Sequence, residues 1–333
     1  MAHARATGVS AERVAVVGAG LMGAQIGCEY ALGGHQVIWI VRDAERASAR
    51  VEQALGLALE QGLADPSAVA AARARMHYRD GSTGDAPAGG GGAGSEGELA
   101  LIVESLPESL ELKAEVLCAL CARHPRAILA TNTSSIAIST LGEAAGAPER
   151  IVGTHYWNPP LLMPLVEVVA GARTPVALRE RVAALLRGIG KRPVILDHEV
   201  PGLLWNRLQL AVLREALWLV EHGVATPQAI DEVMRDGLAR RWRLTGPFET
   251  VGLGGAPTFD AIAENLFPVL SDAITSSGFA AHVPSDPELL ASLRERRDQA
   301  LAAELRGERA AGVRYEPATE PRDERVRYID RSI

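Results

Sequence analysis

Residues 13–23 read Arg13-Val-Ala-Val-Val-Gly-Ala-Gly-Leu-Met-Gly23, a short β-branched run that leads into three glycines spaced G-x-G-x-x-G. A helical pattern follows through Ala24-Gln-Ile-Gly-Cys-Glu-Tyr-Ala-Leu32, and then a second buried run, Gln36-Val-Ile-Trp-Ile-Val41. Strand, glycine turn, helix, strand is a βαβ unit, and in that context each glycine has a physical task. Gly18 permits the tight turn, Gly20 removes a side chain where a pyrophosphate would approach, and Gly23 lets helix and sheet pack closely. Leu21 and Met22 belong to the same turn. The segment reads as a dinucleotide site.

Outward from this unit the pattern continues. Helical stretches are expected at about 44–61 and 66–75, and a strand at Arg75-Met-His-Tyr78. Apolar strand runs recur at 99–103, 127–130, 151–154, 165–169 and 193–196, with helices between several of them. Strands alternating with helices predict an α/β fold, a Rossmann-like, mostly parallel sheet covered on both faces. Beyond Pro201-Gly202 the strand signals stop, and helical periodicity appears at about 203–222, 227–236, 258–276 and 287–306. The expected organisation is a dinucleotide-binding domain over 1–198, an all-helical C-terminal domain over 199–312, and an extended, charged tail over 313–333. The Gly-rich segment 81–97 cannot bury enough apolar surface to offset its ordering entropy, so a mobile loop is expected there.

Composition bounds the function. A chain of 333 residues that is 47% apolar can fill two cores, and a formal charge of -7 without a long basic run offers nothing to nucleic acid or an anionic membrane. The opening residues lack the apolar core of a secretory signal, and no later apolar run is long enough to span a bilayer, so a cytoplasmic protein acting on a small molecule is expected. Three cysteines are too few for a disulfide framework; Cys118 and Cys121, although spaced C-x-x-C, fall on a helical pattern and are expected as buried thiols. No metal-ligand spacing is evident. Lysine occurs only at Lys113 and Lys191, so nearly all positive charge is arginine.

The end of the second strand leaves the cofactor open. An acid normally grips the adenosine ribose there, yet the sequence reads Ile40-Val41-Arg42-Asp43. Asp43, one residue late, would serve the ribose of NAD; Arg42 would suit the 2′-phosphate of NADP.

Six blocks stand in order along the chain: Gly18-Ala-Gly-Leu-Met-Gly23, Glu104-Ser-Leu-Pro-Glu108, Thr131-Asn-Thr-Ser-Ser135, Gly153-Thr-His-Tyr-Trp-Asn-Pro159, Pro164-Leu-Val-Glu167 and Pro201-Gly-Leu-Leu-Trp-Asn-Arg207. Together they resemble the 3-hydroxyacyl-CoA dehydrogenase family. The resemblance implies a His/Glu dyad in the cleft between the two domains, with His155 the general base and Glu167 its partner. Oxidising a secondary alcohol removes a hydroxyl proton while hydride leaves for the nicotinamide, and an imidazole, with an unperturbed pKa of about 6.5, suits that transfer. The resemblance further implies that Ser134 and Asn206 bind the substrate oxygen, that Glu108, Lys113, Asn132 and Asn158 contact the cofactor, and that the helical domain makes a homodimer. A non-catalytic dinucleotide-binding or crystallin-like relative would share the fold without the chemistry.

For the substrate, Gly237-Leu-Ala-Arg-Arg-Trp-Arg-Leu-Thr-Gly-Pro247 resembles the lambda-crystallin or gulonate 3-dehydrogenase type, which acts on free hydroxy acids and carries an arginine at the place of Arg241. A guanidinium there would pair with a substrate carboxylate. The 44–75 stretch, which holds the CoA nucleotide in acyl-CoA enzymes, has no lysine here, leaving Arg73 and Arg75 as its candidate phosphate contacts.

Overall fold

The computed structural model describes residues 11–81, 98–274 and 282–311. The expected Gly-rich loop, apart from Gly81, and the expected tail lie outside the described residues. Among the described residues eight strands form one sheet: β1 (Arg13–Val17), β2 (Gln36–Val41), β3 (Met76–Asp80), β4 (Leu101–Glu104), β5 (Ile128–Thr131), β6 (Ile151–Tyr156), β7 (Leu165–Ala170) and β8 (Arg192–Leu196), in the spatial order β3-β2-β1-β4-β5-β6-β7-β8. Every neighbouring pair is parallel except β6 with β7. The inner strands are nearly continuous in apolar residues because both faces are covered. One face packs on α1 (Leu21–Leu32), α2 (Ala44–Glu60), α3 (Pro66–Arg73) and α6 (Val176–Gly188); the other packs on α4 (Leu110–Arg123) and α5 (Ile138–Ala144).

The order β3-β2-β1-β4 reverses direction between β1 and β4, which leaves a crevice at the carboxyl ends of those strands, where α/β sheets take their ligands. The antiparallel β6–β7 pair matters equally. It sets His155 directly opposite Glu167 in register, so the proline-rich turn between the strands brings the two side chains together across the pair.

Helices follow the sheet. α7 (Leu203–Glu221) opens the second half, followed by α8 (Pro227–Glu232), which runs through a π-helical turn at Val233–Leu238 into α9 (Ala239–Trp242), then α10 (Pro247–Gly254), α11 (Ala256–Leu266) and α12 (Pro287–Ala310). The helix expected at about 258–276 ends at Leu266, where Pro268 occupies the next turn. Among the described residues no helix is long and apolar enough to cross a membrane.

Part of the helical half packs against the sheet domain. α12 turns back onto the sheet domain, where Ala302 and Leu305 bury against Ala58, Leu63 and Leu162. Arg192 pairs with Glu308 at 2.5 Å, and Arg306 donates to the Gln61 carbonyl oxygen. By contrast, Leu208, Leu210, Phe248, Leu253 and Phe267 are exposed. The cysteine expectation is also corrected. Cys28 is buried, but Cys118 faces outward from α4 and is exposed, while Cys121 is half-buried at the edge of the core beneath that helix. Cys121 Sγ instead lies 2.7 Å from Arg150 Nη1.

Candidate active site

The dyad is assembled by strand pairing. His155 Nδ1 lies 2.6 Å from Glu167 Oε2, and both side chains are buried. The other carboxylate oxygen, Oε1, accepts the backbone N–H groups of Leu204 (2.8 Å) and Trp205 (3.0 Å) in the first turn of α7. Burial alone would raise the Glu167 carboxyl, but the His155 contact and these two N–H groups outweigh it and hold the pKa below the usual range. An ionised carboxylate only accepts hydrogen bonds, so the proton between them sits on Nδ1, and the lone pair of a neutral ring is then on Nε2. That is the tautomer a general base needs.

The chain enters α7 through two consecutive left-handed residues, Gly202 at φ +80° and Leu203 at φ +53°. Leu203 is the one non-glycine residue at positive φ among those described, so backbone strain is concentrated where α7 starts, beside Glu167. Next to this junction the indole rings of Trp157 and Trp205 lie 3.6 Å apart between centroids, tilted by 31°. They link the segment after β6 to the start of α7.

The turn bearing Ser134 is held by one carboxylate. Glu108 Oε1 accepts from Thr133 Oγ1 (2.6 Å), the backbone N–H groups of Ser134 and Ser135 (both 2.9 Å) and Ser135 Oγ (2.9 Å). The Ser134 hydroxyl stands at 3.4 Å, a weak contact that leaves it free to turn outward. Burial opposes ionisation of Glu108, yet these donors and the Lys113 charge outweigh it and set its pKa at about 2. Lys113 is fully buried: its ammonium reaches Glu104 Oε1 and Oε2 at 2.7 and 3.0 Å, the Leu106 carbonyl oxygen at 3.2 Å and Glu108 Oε2 at 3.3 Å. Thr131 Oγ1 also donates to Glu104, at 2.6 Å. Glu108 and Lys113 therefore scaffold the serine turn in this structure. Glu104 and Thr133, which the sequence reading did not single out, complete the scaffold; the signal for Glu104 was a carboxylate ending the otherwise apolar Leu101-Ile-Val-Glu104.

Asn132 Oδ1 accepts the Tyr156 N–H at 2.9 Å and ties the ends of β5 and β6 together, while Asn158 is exposed two residues on. Asn206 Nδ2 lies 3.5 Å from the Ser134 carbonyl oxygen, which places α7 against the serine turn. A cavity of about 240 Å³ opens there, lined by Ser134, Ile136, Ile138, Gly153, Glu199 and Leu203. Arg241 is exposed on α9, and its guanidinium pairs with no group among the described residues.

The glycine turn fits a dinucleotide. A side chain at Gly18 would strike the Ser105 carbonyl oxygen, and one at Gly23 would strike that of Gly18, so both are fixed by the protein's own packing. A side chain at Gly20 would meet nothing within 4 Å; its absence matters only to something that comes from outside. α1 begins at Leu21 with no side-chain cap, so its first N–H groups face that space, as phosphate binding requires. Asp43 is engaged in capping α2, with Oδ1 2.8 Å from the Arg46 N–H, and Arg42 is exposed. Among the described residues no group of three or more His, Cys, Asp or Glu side chains could hold a metal ion.

Residues 13–200 match the family described as 3-hydroxyacyl-CoA dehydrogenase, NAD binding domain, and residues 202–282 match 3-hydroxyacyl-CoA dehydrogenase, C-terminal domain. The chain belongs to the 3-hydroxyacyl-CoA dehydrogenase family. It is 32% identical over 263 residues to the 5-formyl-3-hydroxy-2-methylpyridine 4-carboxylate 5-dehydrogenase of Mesorhizobium japonicum, covering 78% of this chain and 81% of that one. A solved structure of a dehydrogenase of that name, described as an NAD+ dependent dismutase, superposes with a TM-score of 0.76 at 29% identity, covering 89% of this chain and 98% of the other. The lambda-crystallin of Oryctolagus cuniculus is 35% identical over 216 residues, 60% of this chain and 68% of its own. An L-carnitine dehydrogenase of Streptomyces coelicolor is 41% identical over 155 residues, and this chain spans about half (49%) of it. The protein is thus an NAD-dependent dehydrogenase, an oxidoreductase of a secondary alcohol.

Proposed function

We propose that this enzyme interconverts the secondary alcohol of a small, free 3-hydroxy acid with the corresponding ketone, using His155 as general base. The observation that carries the reading is the 2.6 Å contact of His155 Nδ1 with a carboxylate whose other oxygen is tied to α7. Bound at the glycine turn, NAD supplies the hydride acceptor. His155 Nε2 takes the hydroxyl proton, and Glu167 stabilises the imidazolium that results. Ser134 and Asn206 donate to the substrate oxygen and hold it toward His155.

The free acid is favoured over a CoA thioester because the two candidate phosphate contacts are already committed. Arg73 Nε and Nη2 form a fork on Glu52 at 3.0 and 2.6 Å, and Arg75 donates to the Ala31 carbonyl oxygen at 3.0 Å. Arg241, exposed and unpaired among the described residues, is the candidate for the substrate carboxylate. The apolar side chains left exposed on α7, α10 and beyond support a homodimer through the helical half, since a monomer would leave Phe248 91% and Phe267 72% exposed.

The test is nicotinamide absorbance on mixing with a panel of 3-hydroxy acids and 3-hydroxyacyl thioesters. Turnover of a free acid, reduced roughly 10²- to 10⁴-fold in His155→Ala while NAD still binds, supports the reading. Equal activity in variant and parent removes the base, and turnover of thioesters alone removes the substrate class.

A further inference from the structure

The turn between β6 and β7 carries the dyad at its two ends, yet it is not a surface loop. Pro159, Pro160, Leu161 and Leu162 are all buried, and a buried turn must satisfy its backbone polar groups inside the protein. It does so with side chains from elsewhere. Leu161 N–H donates to Gln25 Oε1 at 3.2 Å, and the carbonyl oxygens of Pro160 and Met163 accept from the Lys191 ammonium at 2.6 and 2.8 Å. Lys191 completes its coordination with an ion pair to Glu29. An ammonium has three N–H donors, and here three acceptors take them.

Two further facts separate this arrangement from ordinary core filling. Gln25 and Glu29 are four residues apart on α1, one helical turn, so Gln25 directly and Glu29 through Lys191 tie the dyad turn to one face of the helix whose N-terminus forms the dinucleotide cradle. And the chain has 34 basic residues of which only Lys113 and Lys191 are lysine, both buried. A point-like ammonium places three donors on one nitrogen, which suits three acceptors that converge on a single point, whereas a guanidinium spreads its donors over a planar fork.

We propose that Lys191 is a positioning residue of the dyad: its ammonium, countered by Glu29, clasps the Pro160 and Met163 carbonyl oxygens and registers the His155–Glu167 turn to the cofactor helix α1. The proposal rests on reading His155 as the base. The ionisable groups around the clasp are Glu29 and Tyr30 from α1, Tyr156 from β6 and Arg309 from α12; Tyr30 and Tyr156 touch through their hydroxyls at 3.4 Å. An apolar side chain at 191 would fill the volume but leave two buried carbonyl oxygens and the Glu29 carboxylate without their cation. The turn would then shift, and a misplacement of about 1 Å at the reacting groups costs roughly 10²-fold in rate.

The test uses Lys191→Met and the double variant Glu29→Gln/Lys191→Met, with two readouts. One is kcat beside the dissociation constant of NAD. The other is the low-field proton resonance of the His155 Nδ1–H in ¹⁵N-histidine-labelled protein, which reports the bond to Glu167 whether or not His155 is catalytic. Expected are a kcat loss of roughly 10- to 100-fold, NAD affinity retained, and a resonance moved upfield or lost. The double variant removes the stranded carboxylate and recovers melting temperature, but neither kcat nor the resonance. Recovery of all three in the double variant, or an unmoved resonance in a folded single variant, overturns the proposal. Failure of the base assignment itself would instead show as full activity in His155→Ala.

Discussion

Replacing Glu167 by glutamine tests the dyad where its geometry is most constraining. The carboxylate faces two ways, Oε2 to His155 and Oε1 to the N–H groups of Leu204 and Trp205. Glutamine has one acceptor oxygen and one NH₂ group to place in those two positions. Setting the NH₂ against α7 would leave two backbone N–H groups without acceptors, about 1–3 kcal/mol each, so the oxygen stays with the helix and the NH₂ turns to His155. Nδ1 then becomes an acceptor, and the imidazole proton moves to Nε2, the nitrogen proposed to take the substrate proton. A base held in the wrong tautomer loses on the order of 10³- to 10⁴-fold in turnover, about 4–5.4 kcal/mol of barrier. The assay is rapid-mixing nicotinamide absorbance with the best hydroxy acid, alongside NAD binding followed by protein fluorescence. NAD binding should persist, since Glu167 is not part of the glycine turn. A variant turning over within about tenfold of the parent would show that Nε2 is not the proton acceptor.

Three other outcomes follow from the geometry. Ser134→Ala should lower kcat about 10²-fold with NAD binding intact, because Glu108 holds that turn largely through backbone N–H groups; unchanged kcat would remove the serine from the oxygen site. The Glu108 carboxyl titrates at about 2 in the folded protein, below its ordinary range of about 4.3, so its contribution to stability is complete above that range and lost as pH falls toward 2. Thermal denaturation between about pH 4.5 and 2 should therefore show a shallower acid decline in Glu108→Gln than in the parent. Arg241→Ala should raise the KM for a free hydroxy acid about tenfold or more with little change in kcat, and an unchanged KM would end the carboxylate assignment.

What the sequence made legible was set by local pattern. Strands buried on both faces show as unbroken apolar runs, which is why the sheet and its helices stand close to where residues 13–196 place them. His155 and Glu167 were legible because two ionisable groups interrupt such runs. What stayed hidden depends on distant partners. Arg73 and Arg75 look like free cations in sequence, but Glu52 and the Ala31 carbonyl oxygen occupy them. Lys113 resembles a cofactor contact, and only the fold reveals Glu104 and Glu108 around its ammonium. α12 belongs by sequence to the helical half, yet its buried residues pack under α2, a contact about 245 residues away in the chain.

The partition of Glu167 also links the two halves of the molecule. Its ionised form is favoured by the first turn of α7, whose N–H groups and dipole attract negative charge, and the ionised form alone keeps the proton on His155 Nδ1. α7 in turn brings Asn206 to the serine turn and Trp205 against Trp157. If the helical half swings away from the sheet domain, the carboxylate loses two donors, its affinity for a proton rises, and the imidazole loses the acceptor that fixes its tautomer. Substrate oxygen donors and base orientation are therefore lost together. On the proposed role of His155, the same contact of α7 with Glu167 that brings Asn206 to the serine turn also fixes the tautomer of the base, so proton abstraction depends on α7 lying against the sheet domain.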